Sequence, residues 1–251
     1  MSSIAISSIV FACVFGGAMI GMFLRRVLPQ PHISGDSKDA VKVGMALVAT
    51  MSALVLSLLI SSAKSSYDAQ STEVTALSAK VVMLDRVLAH YGPDTMEARD
   101  LLRSTLASAL DRIWSKDFSG ASHFDPQGAG GEFLFDKIQA LSPKDDAQRS
   151  LQTRALNIAF DLLQTRWLMY EQGVSSIPSL VLITLVFWLT ALFMSFGLFA
   201  PSNATVVASF LISALAVTGA ILIIVEMYSP YAGLIQVSSA TLRAALAQMG
   251  K

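Results

Sequence analysis

Charged residues are scarce in this sequence, and those present cancel. Asp, Glu, Lys and Arg make up 14% of the 251 residues, the formal net charge is zero, and hydrophobic residues make up 53%. This balance is far from that of soluble domains and gives no indication of a nucleic acid or another polyanion as partner. The composition therefore predicts a membrane protein that does not bind nucleic acid.

Cysteine is almost absent, and catalytic motifs are missing. Cys13 is the single cysteine, which excludes an intramolecular disulfide and a cysteine-based metal cluster. His32, His90 and His123 are not spaced as metal ligands. No GxSxG, Walker, HExxH or CxxC motif occurs. We therefore expect no enzyme activity, no catalytic residue, no metal and no cofactor.

Long uncharged apolar runs are what the sequence has instead. Each run is close to the twenty or so residues that cross a bilayer as a helix. The predicted spans are Ile4–Leu24, Val43–Ala63, Ser179–Phe199 and Thr205–Val225. The first is interpreted as a retained anchor, with a signal peptide as the alternative, because its start MSSIAISS has no positive charge.

The basic residues near the spans predict the orientation in the membrane. Arg25, Arg26, Lys38 and Lys42 lie between the first two spans, whereas the turn FAPSNATV between the last two has no charge. Lys and Arg near span ends are retained on the cytoplasmic side. The distribution favours a cytoplasmic first loop, with both termini and the long middle segment on the opposite side.

The middle segment, from Lys64 to Pro178, has apolar residues at three- and four-residue spacing and no period-two pattern. This predicts an extramembrane layer of helices. The predicted helices are Ser71–Tyr91, Thr95–Trp114, Glu132–Ala140 and a last one from an N-cap at Ser142 to about Gln172. Gly92 and Pro93 are predicted to form the turn that ends the first of these helices. The Gly- and Ser-rich residues 115–131 are predicted to form a flexible loop.

These elements predict an all-α membrane protein with four regions. Residues 1–42 hold the first span and a basic loop, 43–91 the second span and its extension, 92–178 the other extramembrane helices, and 179–251 the last two spans and a C-terminal segment. Residues 45–91 contain no Gly or Pro, so the second span is expected to continue into a rod of roughly 70 Å. A rod of this length does not bury its flanks alone, which favours association of several copies.

Small and polar residues follow one side of this rod at helical spacing. They are Ala46, Thr50, Ala53, Ser57, Ser61, Lys64, Asp68 and Ser71. In one interpretation they let helices pack closely in lipid, with hydroxyls bonded to their own helix. In the other they face a water-filled axis shared by several subunits. The residues from Thr50 to Ser61 then line the pore, and Lys64 and Asp68 surround its mouth.

Several segments resemble the bestrophin-like domain family of bacterial membrane proteins. They are GMFLRRVLP, DSKDAVKVGMALVATMSALVLSLLISSAKSSYD, LDRVLAHYGP, EARDLLR, TRWLMYEQ, FWLTALFMSFGLFAPSNATVV and SPYAGLIQVSSATLRAAL. The family is similar in layout to bestrophins, which are homopentameric chloride channels whose second span lines a narrow neck. The resemblance implies a bacterial inner-membrane location and a pentamer. No ion-binding residue is carried over, because Val43–Ala63 has no aromatic residue and no acidic calcium clasp is recognisable.

Two functions follow from these features. The first is an oligomeric channel that conducts small ions passively through a pore lined by the second span, with anions as the ions implied by the resemblance. Its partners are membrane lipid, other copies of the chain and small ions. The alternative is a structural or sensory membrane protein whose extramembrane helices bind a partner. Glu226 is interpreted as an interfacial cap, and Arg166 with Trp167 as an interfacial pair.

Overall fold

The computed structural model describes residues 2–29, 35–114, 130–174, 179–231 and 233–249, and for residues 35–38 and 171–174 it describes the backbone alone. The regular structure in these ranges is helical throughout, which confirms the predicted all-α fold. The helices are α1 (Ser3–Val27), α2 (Gly35–Tyr91), α3 (Met96–Ile113), α4 (Gly130–Gln139), α5 (Asp146–Val174), α6 (Ser179–Phe199), α7 (Ala204–Met227) and α8 (Ala240–Gln248), with a 3-10 turn at Pro93–Thr95.

Four of these helices are long and apolar enough to cross a membrane, as predicted. They are α1, α2 from Asp39 onward, α6 and α7. The protein is therefore a multi-pass membrane protein. Helix α2 runs for 57 residues without interruption, so the second span does continue into an extramembrane helix.

The chain forms two compact units. The first, called here the membrane unit, comprises Met1–Ser66 and Ser176–Tyr228. The second, called the helical unit, comprises Tyr67–Ser175 and Ser229–Lys251. Each is assembled from two separate stretches of chain, so neither is complete until distant parts of the sequence have come together.

Helices α1 and α6 of the membrane unit approach each other through glycine. A Cβ on Gly17 would lie 2.9 Å from the carbonyl oxygen of Thr190, and a Cβ on Gly21 would overlap the carbonyl of Met194. From the other side, a Cβ on Gly197 would overlap the carbonyl of Ala18. The contacts advance in the same direction along both helices, which are therefore parallel. Gly17 and Gly21 form the GxxxG spacing that permits close helix packing in lipid.

Six hydroxyl groups in the spans are satisfied within their own helices, whereas the buried hydroxyl of Thr218 in α7 has no hydrogen-bond partner among the described residues. Each of the following donates to the carbonyl oxygen four residues earlier at 2.7–2.9 Å: Ser7, Ser8, Thr50, Ser52, Thr184 and Thr190. Such back-bonding removes the cost of a polar group that has no water to bind.

The helical unit has a conventional leucine-rich core, at the positions that the periodicity predicts. On α2 the buried residues include Val74, Val81, Leu84 and Leu88, and on α3 they are Ala98, Leu102, Leu106 and Leu110. Helices α4, α5 and α8 contribute Leu134, Ile138, Ala155, Ala159, Met169 and Leu242 to the same cluster.

The predicted Gly-Pro turn ends α2. Gly92 has φ 125°, a left-handed conformation that other residues rarely adopt, and Pro93 follows it. The last carbonyl groups of α2 still find donors. The Thr95 hydroxyl donates to Leu88 (2.6 Å), and Gln148 Nε2 donates to Tyr91 (3.1 Å). These bonds hold α3 and α5 to the end of α2.

The predicted N-cap at Ser142 is wrong, because α5 begins at Asp146. Asp145 Oδ1 accepts the backbone N–H of Gln148 (2.7 Å), and Gln148 Oε1 accepts the backbone N–H of Lys144 (2.8 Å). This reciprocal pair satisfies two backbone donors. The Asp145 carboxylate is also more favourable than the Ser142 hydroxyl at the positive end of the helix dipole. Residues 115–129 of the predicted loop lie outside the described residues, whereas Gly130 and Gly131 already belong to α4.

Residues after α7 complete the helical unit, which the sequence did not indicate. Trp114 Nε1 donates to the carbonyl oxygen of Val237 (2.8 Å), and the Tyr67 hydroxyl donates to that of Gln236 (3.2 Å). The ring of Tyr231 meets that of Trp114 edge-on, with centroids 5.8 Å apart. Burial raises the pKa of Tyr231.

A buried ion pair joins α2 and α3. Arg99 donates to both carboxylate oxygens of Asp85, at 2.7 and 3.1 Å, and Asp85 is 4% exposed. The hydrogen bond to Asp85 raises the pKa of Arg99. Each group thereby compensates the other's loss of hydration.

Gly21→Ala is expected to destabilise the membrane unit by about 2 kcal/mol, because the added Cβ forces the backbones of α1 and α6 apart. The matched control is Gly16→Ala in the same helix, where a Cβ meets nothing within 4 Å. The control should be neutral or stabilising by up to about 1 kcal/mol, from helix propensity. Melting temperatures of the detergent-solubilised variants provide the measurement. Equal values would contradict the close packing.

Asp85→Asn is expected to cost the helical unit about 2 kcal/mol, since it leaves Arg99 partly buried without its counter-charge. Glu97→Gln is the control, because Glu97 of α3 makes an exposed ion pair with Lys137 of α4. Screening by water leaves such a pair with little effect on stability. If Glu97→Gln lowered the melting temperature as much as Asp85→Asn, burial of the Asp85–Arg99 pair would have no specific effect on stability.

Candidate pore-lining face

The membrane-spanning part of α2 presents three distinct faces. One is buried in the membrane unit and carries Ser52, Leu59 and Ala63, none more than 4% exposed. At 100° per residue, the small and polar stripe lies roughly 140° from this face. A second exposed face, which is apolar, lies roughly 80° from the stripe. Both exposed faces are left to neighbours outside the protomer.

All six residues predicted to line a pore are brought onto one exposed stripe of α2. They are Thr50, Ala53, Ser57, Ser61, Lys64 and Asp68, and each is exposed. Thr50 follows the first interpretation of the stripe in one respect, since its hydroxyl donates to the carbonyl oxygen of Ala46 (2.9 Å). Both interpretations of the stripe place another helix or water against it, because a stripe of small side chains offers little apolar surface to lipid.

The exposed apolar face begins at Val43 and continues with large side chains. It comprises Val43, Leu47, Met51, Leu54 and Leu58, with exposures from 44% to 74%. Residues of this kind are equally suited to lipid and to a neighbouring subunit. The exposed side of α2 therefore has two chemically different faces, one with small and polar side chains and one with large apolar side chains.

Tyr228, directly after α7, contacts α2 near the end of the second span. Its hydroxyl lies 3.0 Å from the Ser62 hydroxyl, so a hydrogen bond joins α2 to the end of α7. Ser62 follows Ser61 of the stripe directly. This contact orients α2 about its axis and, with the buried face, determines which residues remain outside. Sequence reasoning missed Tyr228, and no pattern in the sequence links it to Ser62.

Other titratable residues are placed away from the stripe. Glu226, interpreted as an interfacial cap, sits in the last turn of α7 at the end of the span and is buried in the protein. Arg166 lies in α5 of the helical unit, with a guanidinium nitrogen beside Gly131. His90 Nδ1 lies 2.7 Å from the carbonyl oxygen of Arg86, and the other two histidines are outside the described residues. Among those described, no group of three His, Cys, Asp or Glu side chains is placed to hold a metal ion.

The comparison with protein families agrees with this architecture. The Bestrophin-like domain matches residues 12–242, nearly the whole chain. The chain therefore belongs to the Bestrophin-like domain family. No curated protein and no solved structure gives a significant match. Family membership identifies the chain as a Bestrophin-like membrane protein but does not by itself define an activity.

A cysteine at position 57 distinguishes the two interpretations of the stripe. In a Cys13→Ser background, we expect Ser57→Cys in membranes to react readily with a water-soluble thiol reagent, because thiolate forms only where water reaches. Leu58→Cys on the exposed apolar face is the matched neighbour, and Ala63→Cys on the buried face is the second control. Both should react slowly. Equal protection at 57 and 58 would contradict a hydrated stripe and favour helix packing in lipid.

Proposed function

We propose that the protein is an ion channel assembled from several copies, with α2 of each copy around a common axis. Thr50, Ala53, Ser57 and Ser61 line the conduction path, and Lys64 and Asp68 surround its mouth. Ions move passively down their gradient. The location is the bacterial inner membrane and the assembly is a pentamer, both by analogy with the family's resemblance to bestrophins.

The observation that carries this proposal is the exposed small and polar stripe on a helix whose opposite side is buried in its own protomer. A protomer that anchors one side of α2 through Leu59 and Ala63 presents the stripe in a fixed orientation. Rotation of several such protomers about an axis brings their stripes together, as closed symmetry requires. Small side chains leave room for water and ions between the helices.

The charges at the proposed mouth are balanced. Each copy contributes one Lys64 and one Asp68, a helical turn apart, and both take part in interactions within the chain. A ring of equal numbers of cations and anions produces no dominant sign in the local field. Anion conduction is therefore proposed from the family analogy and not from these two residues.

Particle mass is the first test. Purified protein in mild detergent, corrected for bound detergent, should give a mass of several 26.8 kDa chains. A pentamer agrees with the full proposal, and another closed ring agrees with the channel but not with the bestrophin stoichiometry. A monomer contradicts the shared axis.

Ser57→Trp should abolish ion flux into liposomes while leaving the particle mass unchanged, because an indole in each copy closes a path lined by small side chains. Ser57→Ala is the control, since it removes the hydroxyl without adding volume, and it should conduct like the original protein. Flux of chloride, nitrate, sodium and potassium is compared with that of protein-free liposomes. Absence of flux for every ion in the unmodified protein, or full flux in Ser57→Trp, contradicts the proposal.

The second hypothesis, a sensory membrane protein, is favoured by a different observation. The helical unit contains an apolar cavity bordered by α2, α3, α4, α5 and α8, a feature typical of ligand sites. A monomeric particle without flux would leave this function as the better explanation.

A further inference from the structure

The helical unit contains a partly open cavity of about 390 Å³. Its walls come from five helices and are mainly aliphatic, with Leu77, Leu102, Leu106, Leu134, Leu163 and Met169 among them. The volume lies within the range of about 300–1,000 Å³ that is usual for small-molecule sites. An apolar cavity of this size is suited to a hydrocarbon chain more than to a polar metabolite.

Cationic groups border the same cavity. Arg112 and Arg166 both belong to its lining, and no Asp or Glu does among the described residues. Each arginine also has an interaction within the chain, and Arg112 Nε donates to the carbonyl oxygen of Ser108 (3.3 Å). A guanidinium carries five N–H donors, so an existing partner does not exhaust its capacity. The border therefore favours an anion.

Two glycines bring the start of α4 to Arg166. A Cβ on Gly130 would lie 2.8 Å from Thr105 Oγ1, and a Cβ on Gly131 would lie 2.8 Å from Leu163 Cδ2 and 3.1 Å from a terminal nitrogen of Arg166. The absence of both side chains allows α4 to begin against α3 and α5. The guanidinium of Arg166 therefore lies directly beside the backbone of α4, whose first turn also carries Glu132.

We propose that this cavity binds an amphipathic carboxylate with a single acyl chain, of which dodecanoate is a suitable representative. The acyl chain lies among the leucines, and the carboxylate lies at Arg166. The apolar walls explain the chain, and the cationic border explains the head group. Binding here does not depend on ion conduction, since the site is built within the helical unit alone.

The test uses full-length protein in membranes and a dodecanoic acid with a diazirine near its methyl end. After illumination, mass spectrometry should find label on peptides of α3 and α5 that line the cavity. Unlabelled carboxylates of 8, 10 and 12 carbons compete, and each additional buried CH₂ should strengthen competition about fourfold. Dodecanol should compete at least about tenfold less well than dodecanoate, because it lacks the charge-assisted hydrogen bonds.

Two variants separate a binding site from general partition into lipid. Arg166→Gln should weaken competition by dodecanoate about tenfold or more and leave that by dodecanol unchanged. Arg103→Gln, an exposed arginine outside the cavity lining, is the matched control and should change neither. Ala109→Phe fills the cavity from a half-exposed lining position and should abolish labelling at an unchanged melting temperature.

Several outcomes would overturn the proposal. Label distributed over the membrane spans, or labelling that Ala109→Phe does not affect, would indicate lipid partition alone. Equal competition by dodecanol and dodecanoate would contradict carboxylate recognition. Absence of label from the cavity peptides would also exclude the ligand. None of these results bears on ion flux, so the channel proposal is tested separately.

Discussion

A backbone or hydroxyl group without a hydrogen-bond partner costs several kcal/mol in hydrocarbon, and the membrane unit is arranged around this constraint. Helices satisfy the backbone internally, and span hydroxyls such as those of Thr50 and Thr190 are satisfied by carbonyl groups one turn earlier. Charged side chains remain at span ends, as with Arg25 and Arg26 in the last turn of α1. The unbroken course of α2 follows from the same requirement, since a Gly or Pro break within a span would release groups that no water can bind.

Each of the two units is stabilised internally by a different physical interaction. In the helical unit, leucines leave water on folding, and burial of Leu84, Leu88 and Leu102 supplies the driving force. In lipid an apolar side chain gains little by leaving one hydrocarbon for another. Gly17, Gly21 and Gly197 instead let backbones touch, so that dispersion contacts hold α1 to α6. A methyl group added at one of these glycines therefore destabilises the membrane unit, whereas removal of a buried methyl group destabilises the helical unit.

Features governed by local pattern could be predicted from the sequence. Runs without charge located all four spans, and Gly92-Pro93 located the end of α2. Long-range contacts have no such signal. Nothing in the sequence pairs Gly17 and Gly21 of α1 with Gly197 of α6, or joins Ser62 to Tyr228. The N-cap of α5 was misplaced because Ser142 and Asp145 are both good caps, and the choice depends on Gln148. Of the candidate site, the periodicity predicted which residues share a stripe, whereas exposure of that stripe depends on where the rest of the membrane unit packs.

The return of residues 229–249 to the helical unit sets an order on biosynthesis. Tyr231, Val237, Leu242 and Met249 belong to a core whose other members precede the third span. The indole N–H of Trp114 also finds its acceptor only at Val237. The ribosome must therefore finish α6 and α7 before this core can close. Until then the leucines of α2 and α3 remain exposed to water. During this interval the nascent chain is most prone to aggregate and most accessible to chaperones.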